Sequence, residues 1–297
     1  MNRTLLSGSK SRKYLSQTIG RLLLPALLLA MLFPCSAIAQ GNLLITPRRV
    51  VFEGSKKIQE LNLANIGKDS ARYVFSLVEI RMKEDGSFER IAEPDSGQLF
   101  ASPYLRFFPR SVILAPNESQ LMKVQLSRTE QLPAGEYRSH IYFRAERDDK
   151  PLGEFEARVD SGSISVSIIP IFGITIPIIV RIGELNAEVA ITDVKIMKHD
   201  SIYSTSMVLN RKGTKSVYGD VKVEHVSDAG IKTTIGRANG VSVYTPNAKR
   251  NFEMKLKDAD KVDLKKGKLL ISYNSDSDVN PVKMAEVEVL IDYEASK

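Results

Sequence analysis

Residues 163–181 read SISVSIIPIFGITIPIIVR, and the parity of this stretch decides the fold. Ile164, Val166, Ile168, Phe172, Ile174, Ile176, Ile178 and Val180 fall on one side of an extended chain. Ser163, Ser165, Ser167, Gly173, Thr175 and Arg181 fall on the other, with Ile169, Ile171 and Ile179 as exceptions. A period of two predicts a strand, because side chains alternate faces along a pleated backbone, and β-branched residues suit that pleat. Pro170, Gly173 and Pro177 interrupt the stretch too often for a membrane-spanning helix. Proline has no N–H to give to a ladder, so within sheets it belongs on an edge or at a bulge. Pro170 and Pro177 have opposite parity, and Gly173 between them offers a place to re-phase the strand. The stretch therefore predicts a long apolar strand with at least one open border. Such a border invites aggregation unless the protein's own domain covers it or another chain pairs with it. The pattern alone leaves both readings open.

The first 39 residues read as a secretory signal peptide. Arg3, Lys10, Arg12, Lys13 and Arg21 form a basic leader without an acid, residues 22–33 form a short apolar core, and Ala37-Ile38-Ala39 offers a cleavage site. Phe33-Pro34 before Cys35 makes a poor lipobox, so soluble export is expected, with no membrane insertion of the mature chain. Cys35 is the sole cysteine, so the exported chain is expected to hold together by core packing, without disulfides. The whole chain carries a net charge of +7, and five of its cations lie in the leader, which leaves +2. That value gives no support to nucleic-acid binding. Removing 39 of 297 residues leaves 258, enough for two ordinary domains.

From residue 43 to 146 the chain alternates strands with turns. Strands are expected at 43–45, 47–52, 58–63, 72–81, 104–108, 111–114, 120–126 and 135–144, with a hairpin turn at Lys83-Glu84-Asp85-Gly86. Residues 148–162 are polar and read as a loop before the organising strand. Residues 183–186 read as a short linker. Seven further strands are expected at 189–197, 203–209, 216–225, 232–244, 251–256, 268–273 and 282–293, with turns that include Arg211-Lys212-Gly213. Strands at this spacing, without an amphipathic helix, predict an all-β protein of two immunoglobulin-like sandwiches: a first domain over 41–182 and a second over 187–297.

Catalytic signatures are missing. His140, His199 and His225 are not spaced as metal ligands, and no nucleophile elbow, phosphate-binding loop or dinucleotide fingerprint occurs. Residues 276–280 begin like a calcium loop but lack its glycine, and Val287 stands where the closing acid belongs. Asn117-Glu118-Ser119 fits a glycosylation sequon and equally a turn before a strand. The chain is expected to be no enzyme and to need no cofactor or metal.

Several segments of the first domain resemble a known family. TPRRVVFEG at 46–54 resembles its first strand and LNLAN at 61–65 its second. PRSVILAPNES at 109–119 resembles an apolar strand meeting a Pro-Gly-Glu-like turn, with Asn117 where glycine is common. LPAGEYRS at 132–139 resembles the signature before the sixth strand, and residues 163–181 fall on the subunit-binding strand. The family is that of the PapD-like periplasmic chaperones of the chaperone–usher pilus pathway, and this chain resembles a divergent member. The resemblance implies two immunoglobulin-like sandwiches in an L- or boomerang-shaped arrangement. It also implies a periplasmic chaperone that stabilises an exported pilin-like subunit by donor-strand complementation and delivers it to an outer-membrane usher. Ile164, Val166, Ile168 and Phe172 would fill the subunit's open groove. Arg49 would anchor the subunit's C-terminal carboxylate, since a guanidinium pairs with both oxygens, and Arg48 is the fallback. The family's second anchor, a lysine on the long strand, is missing: Thr175 or Pro177 stands in its place, and no lysine occurs between Lys150 and Lys195. Arg181 or an arginine of the sixth strand is left to complete the anchor. The open apolar border also invites self-association. The alternative is a non-catalytic, two-domain binding module of a cell-envelope or surface complex.

Overall fold

A computed structural model of the chain describes residues 43–146, 173–200, 202–275 and 281–291. The leader, the loop at 148–162, the turn at 276–280 and the expected donor residues Ile164, Val166, Ile168 and Phe172 lie outside the described residues. Among those described, the chain forms strands and two short 3-10 helices, and no α-helix.

The first sandwich uses β1 (Leu43–Thr46), β2 (Val50–Phe52), β3 (Ile58–Asn65), β4 (Ala71–Val78), β5 (Ile80–Met82), β6 (Phe88–Arg90), β7 (Leu105–Phe108), β8 (Ser111–Leu114), β9 (Ser119–Leu126), β10 (Gly135–Glu146) and β11 (Gly173–Ile182). One sheet runs β1-β3-β9-β7 and the facing sheet β2-β11-β10-β4-β8. Alternate residues from both, including Leu61, Leu63, Phe75, Met122, Ile141 and Phe143, meet in one buried core. Two details explain motifs read from the sequence. Buried Asn65 closes β3, donating through Nδ2 to the carbonyls of Asp69 (2.8 Å) and Leu114 (2.9 Å) and so joining a turn to the opposite sheet. Asn117 holds φ at +62°, the left-handed region that glycine or asparagine tolerates best. Tyr137, near the start of β10, donates its hydroxyl to the carbonyl of Pro133 at 3.1 Å, as tyrosines do at the corners of immunoglobulin-like sandwiches.

The second sandwich uses β12 (Ala187–His199), β13 (Ile202–Gly213), β14 (Val217–Val226), β15 (Lys232–Val243), β16 (Lys249–Lys255), β17 (Lys268–Ser275) and β18 (Lys283–Leu290). Its sheets are β12-β13-β16 and β15-β14-β17-β18, closed on a separate core around Leu209, Val221, Val223, Ile235, Val243 and Ile271.

Two sequence expectations are corrected. Residues 211–213 are not a turn but the end of β13, with Gly213 opposite Ala187. Arg211 is buried there, donating to the carbonyls of Asn247 (2.9 Å) and Gly213 (2.8 Å). Residues 72–81 are not one strand. The chain leaves the sheet at Glu79, and β5 pairs only with β6. The hairpin turn expected at 83–86 forms, with Gly86 at φ +83°. It reaches the second sandwich: Asn251 N donates to the Glu84 carbonyl (2.7 Å), and Asn247 Nδ2 donates to the Met82 carbonyl (2.8 Å). A side chain at position 86 would displace the Arg250 guanidinium, and the positive φ there favours glycine in its own right.

Candidate functional site

The described half of the organising stretch is β11. It pairs antiparallel with β10 along its whole length, from Gly173 opposite Arg144 to Ile182 opposite Gly135. On its other border it pairs with β2, in parallel, only through Ile178, Ile179 and Val180. Residues 173–177 have no strand on that side among the described residues. Pro177 sits opposite His140, beside the border that opens over 173–177. Ile176, Ile178 and Val180 enter the first core as their parity predicts, whereas Ile174, on the same side, is 38% exposed where the border opens.

The opposite face of β11 meets the second sandwich. Ile179, an exception to the alternation, is fully buried there with Met82 and Tyr244, against Val51. An apolar residue on the polar side is what a second covered face requires. One turn of pleat further on, Arg181 donates from Nε to the buried carboxylate of Glu136 (3.1 Å), and its Nη1 lies 3.3 Å from Glu53. The same Glu136 carboxylate accepts from Ser216 N (3.0 Å) and Thr245 Oγ1 (3.2 Å), and also from the Ser216 hydroxyl. Charge and hydrogen-bond donors from both sandwiches thus converge on one carboxylate.

The cations of the resemblance lie in the same cleft. Arg49, just before β2, stacks its guanidinium 4.6 Å over the Tyr218 ring, and its Nε is buried without a hydrogen-bond partner. Burial pushes its pKa down, opposed first by Tyr244. With Arg181, Lys215, Ser216 and Tyr218 it lines a cavity of about 370 Å³. Arg48 is exposed and lines a second cavity of about 200 Å³, with His140, Thr175, Pro177, Tyr244 and Arg250. Thr175 and Pro177 supply no cation there, so the positions where a lysine is expected from the resemblance stand beside arginines drawn from elsewhere in the fold.

Sequence reasoning missed most of the polar side of β10. Glu136, Arg138 and His140 share one side of the strand, separated by Tyr137 and Ser139, and all three are buried. Arg138 stacks 4.2 Å over Tyr244 and donates to the Ile80 carbonyl at 3.4 Å. Burial, reinforced by Arg138, lowers the His140 pKa to about 3. Burial raises the pKa of Glu79, opposed by hydrogen bonds from Ser102 and Ser139. The sole hint in the sequence is a mixture of both charge signs with histidine on one strand face. Among the described residues, no group of three or more His, Cys, Asp or Glu side chains is placed to hold a metal ion.

No family model matches the chain, and no curated protein matches it. Among solved structures, the chain is similar to the CsuC–CsuE chaperone–tip adhesion subunit pre-assembly complex from archaic chaperone–usher Csu pili of Acinetobacter baumannii. The identity is 12%, over 86% of this chain and 100% of that one, with a TM-score of 0.43. It is similar to the CupB2 chaperone of Pseudomonas aeruginosa at 12% identity, over 84% and 100% of the two chains, with a TM-score of 0.41. It is also similar to the YadV chaperone at 11% identity, over 83% and 99%, with a TM-score of 0.43.

Proposed function

We propose that this protein is a periplasmic chaperone that lends the strand of residues 163–181 to an exported, pilin-like subunit and passes that subunit to an outer-membrane usher. The observation that carries the reading is the border of β11 over residues 173–177: it lacks a described partner strand, while the same strand is sealed on both sides over 178–180. A sheet that closes only part of a long apolar strand leaves main-chain donors and acceptors for another chain, which is the physics of strand addition. Ile164, Val166, Ile168 and Phe172 continue the parity of Ile174 and Ile176 and are assigned to the subunit's groove. Each such side chain contributes about 1.5–3 kcal/mol when fully buried, before the cost of ordering is deducted. Arg49 is assigned to the subunit's terminal carboxylate. The domain over 41–182 carries the strand, and the domain over 187–297 supplies the other wall of the cleft.

Co-expression with candidate exported subunits, followed by capture of this protein, tests the reading. Val166→Asp and Ile168→Asp are each expected to lose the captured subunit while leaving the thermal transition of the protein unchanged. Retention of the subunit by both variants overturns strand donation.

A further inference from the structure

Gly173 is the sole glycine in residues 163–181, and its backbone does not call for one. Its φ is not in the left-handed region, and β11 pairs with β10 from Gly173 onward without a register shift. What glycine provides there is space. A Cβ at position 173 would displace the phenol end of Tyr142. Tyr142 stands opposite Thr175 and Gly173 opposite Arg144, so the ring reaches its diagonal neighbour across the two strands. The β5–β6 hairpin holds the ring in turn, with the Arg90 guanidinium carbon 4.5 Å from its centre. Glycine weakens a strand interior unless another group covers its backbone, and a cross-strand aromatic ring is such a cover. The cover falls where β11 has least other support. Downstream, β2 and the Arg181–Glu136 pair fix the strand, whereas over 173–177 its one neighbouring strand among the described residues is β10.

We infer that Tyr142 is a positioning residue for the lent strand: its ring, held by Arg90, fits over Gly173 as a key that fixes the register of β11 against β10 at the root of the open border. Alternation alone does not fix it. A shift by one residue turns every side chain to the wrong face, but a shift by two preserves the faces. Ile174, Ile176 and Ile178 are identical, so such a shift exchanges isoleucine for isoleucine. Beneath the ring, the same shift exchanges Gly173 for Ile171 or Thr175, and neither side chain fits the space that the phenol occupies. The register at the root sets where every residue of the continuing strand meets a partner. A shift by two moves each donated side chain by roughly 7 Å along the partner's groove. The key is thus a specificity device, matching the lent side chains to the pockets of one partner. Its purpose, though not its geometry, rests on the strand-lending reading.

Amide hydrogen exchange on the free protein, together with capture of a co-expressed subunit, gives the test. Tyr142→Ala is expected to speed exchange of the 173–176 amides that bond to β10 by about fivefold or more, while the amides of β14 in the second sandwich keep their wild-type rates. Tyr142→Phe keeps the ring and should match wild type, and Arg90→Ala should fall between the two. Gly173→Val displaces the ring and should loosen the same amides. Combined with Tyr142→Ala, its side chain takes the vacated space, and protection should return to within about twofold of wild type. Capture should fall in each single variant and recover in the double variant, a rescue that general loss of stability does not produce. Wild-type exchange in Tyr142→Ala overturns the inference, as does equal loosening in the single and double variants, or loosened exchange with undiminished capture. Should Tyr142→Ala fail to fold, Gly173→Ala probes the same contact from the other strand, and wild-type exchange there overturns the key. Val166→Asp and Ile168→Asp leave the ring and the glycine in place. Retention of the subunit by both would end strand lending, while the exchange rates still decide the register key.

Discussion

Arg181 Nε lies 3.1 Å from the Glu136 carboxylate, which is fully buried where the two sandwiches meet and accepts hydrogen bonds from Ser216 and Thr245 of the second one. The pair therefore acts on the docking of the sandwiches more than on either core. Breaking a buried pair costs about 3–5 kcal/mol when the other charge is left uncompensated; loss of Glu136 strands the donors of Ser216 and Thr245 but leaves Arg181 the exposed Glu53, so the lower end of that range applies. Glu136→Ala is expected to destabilise the protein by that order and to increase protease cleavage in the linker at 183–186. Glu136→Gln, which keeps the shape and part of the hydrogen bonding, should lose less. Urea unfolding and limited proteolysis measure both, and an unchanged midpoint in Glu136→Ala would remove the interdomain role.

His140 gives the stability a defined pH dependence. Its pKa is near 3 in the folded chain and 6.5 when unperturbed. Between those values the unfolded chain binds the proton and the folded chain does not, so stability falls as the pH is lowered. The slope from this group alone is about 1.4 kcal/mol per pH unit. His140→Phe removes it, while the shared carboxylates titrate as before. The difference in unfolding free energy between wild type and His140→Phe is expected to shrink or reverse from pH 6.5 toward pH 4, in the sense that the variant resists acid better. Parallel curves over that range would show that the imidazole is protonated in the native state.

Much of this architecture is legible in the sequence because one sheet face is buried within each sandwich and strand parity reports it. Ile176, Ile178 and Val180 sit where alternation places them, and the turns around Gly86 and Asn117 follow from the need for positive φ. What escapes is everything decided by the second covered face. Ile179 breaks the alternation because Met82 and Tyr244 pack on it. Glu136, Arg138 and His140 imitate a wet face because their cover comes from residues some hundred positions away, among them Ser216 and Tyr244. Arg211 looks like a turn residue because charge and a following glycine usually mark one, yet carbonyls of the 246–247 turn satisfy its guanidinium inside the fold. A one-dimensional pattern carries the period of an element but not the partner that covers its outer side.

Arg49 is the residue proposed as the anchor for the subunit's carboxylate. Its guanidinium carbon lies 4.6 Å from the centre of the Tyr218 ring, and its Nε has no hydrogen-bond partner, so a planar anion at the cavity mouth would gain a donor that is already desolvated. A hydrogen bond to a charged group contributes about 1.5–3 kcal/mol, which corresponds to a loss of roughly tenfold or more when it is removed. Arg49→Ala is therefore expected to weaken capture of the subunit at least tenfold with little change in the thermal transition. Arg49→Lys should fail to restore it, because an ammonium neither stacks as a plane nor presents a paired fork. The measurement is retention of a co-expressed subunit across a salt series, since a contact between charges partly open to solvent weakens as screening increases. Capture by Arg49→Ala equal to wild type would withdraw the carboxylate anchor and leave strand pairing to hold the subunit alone.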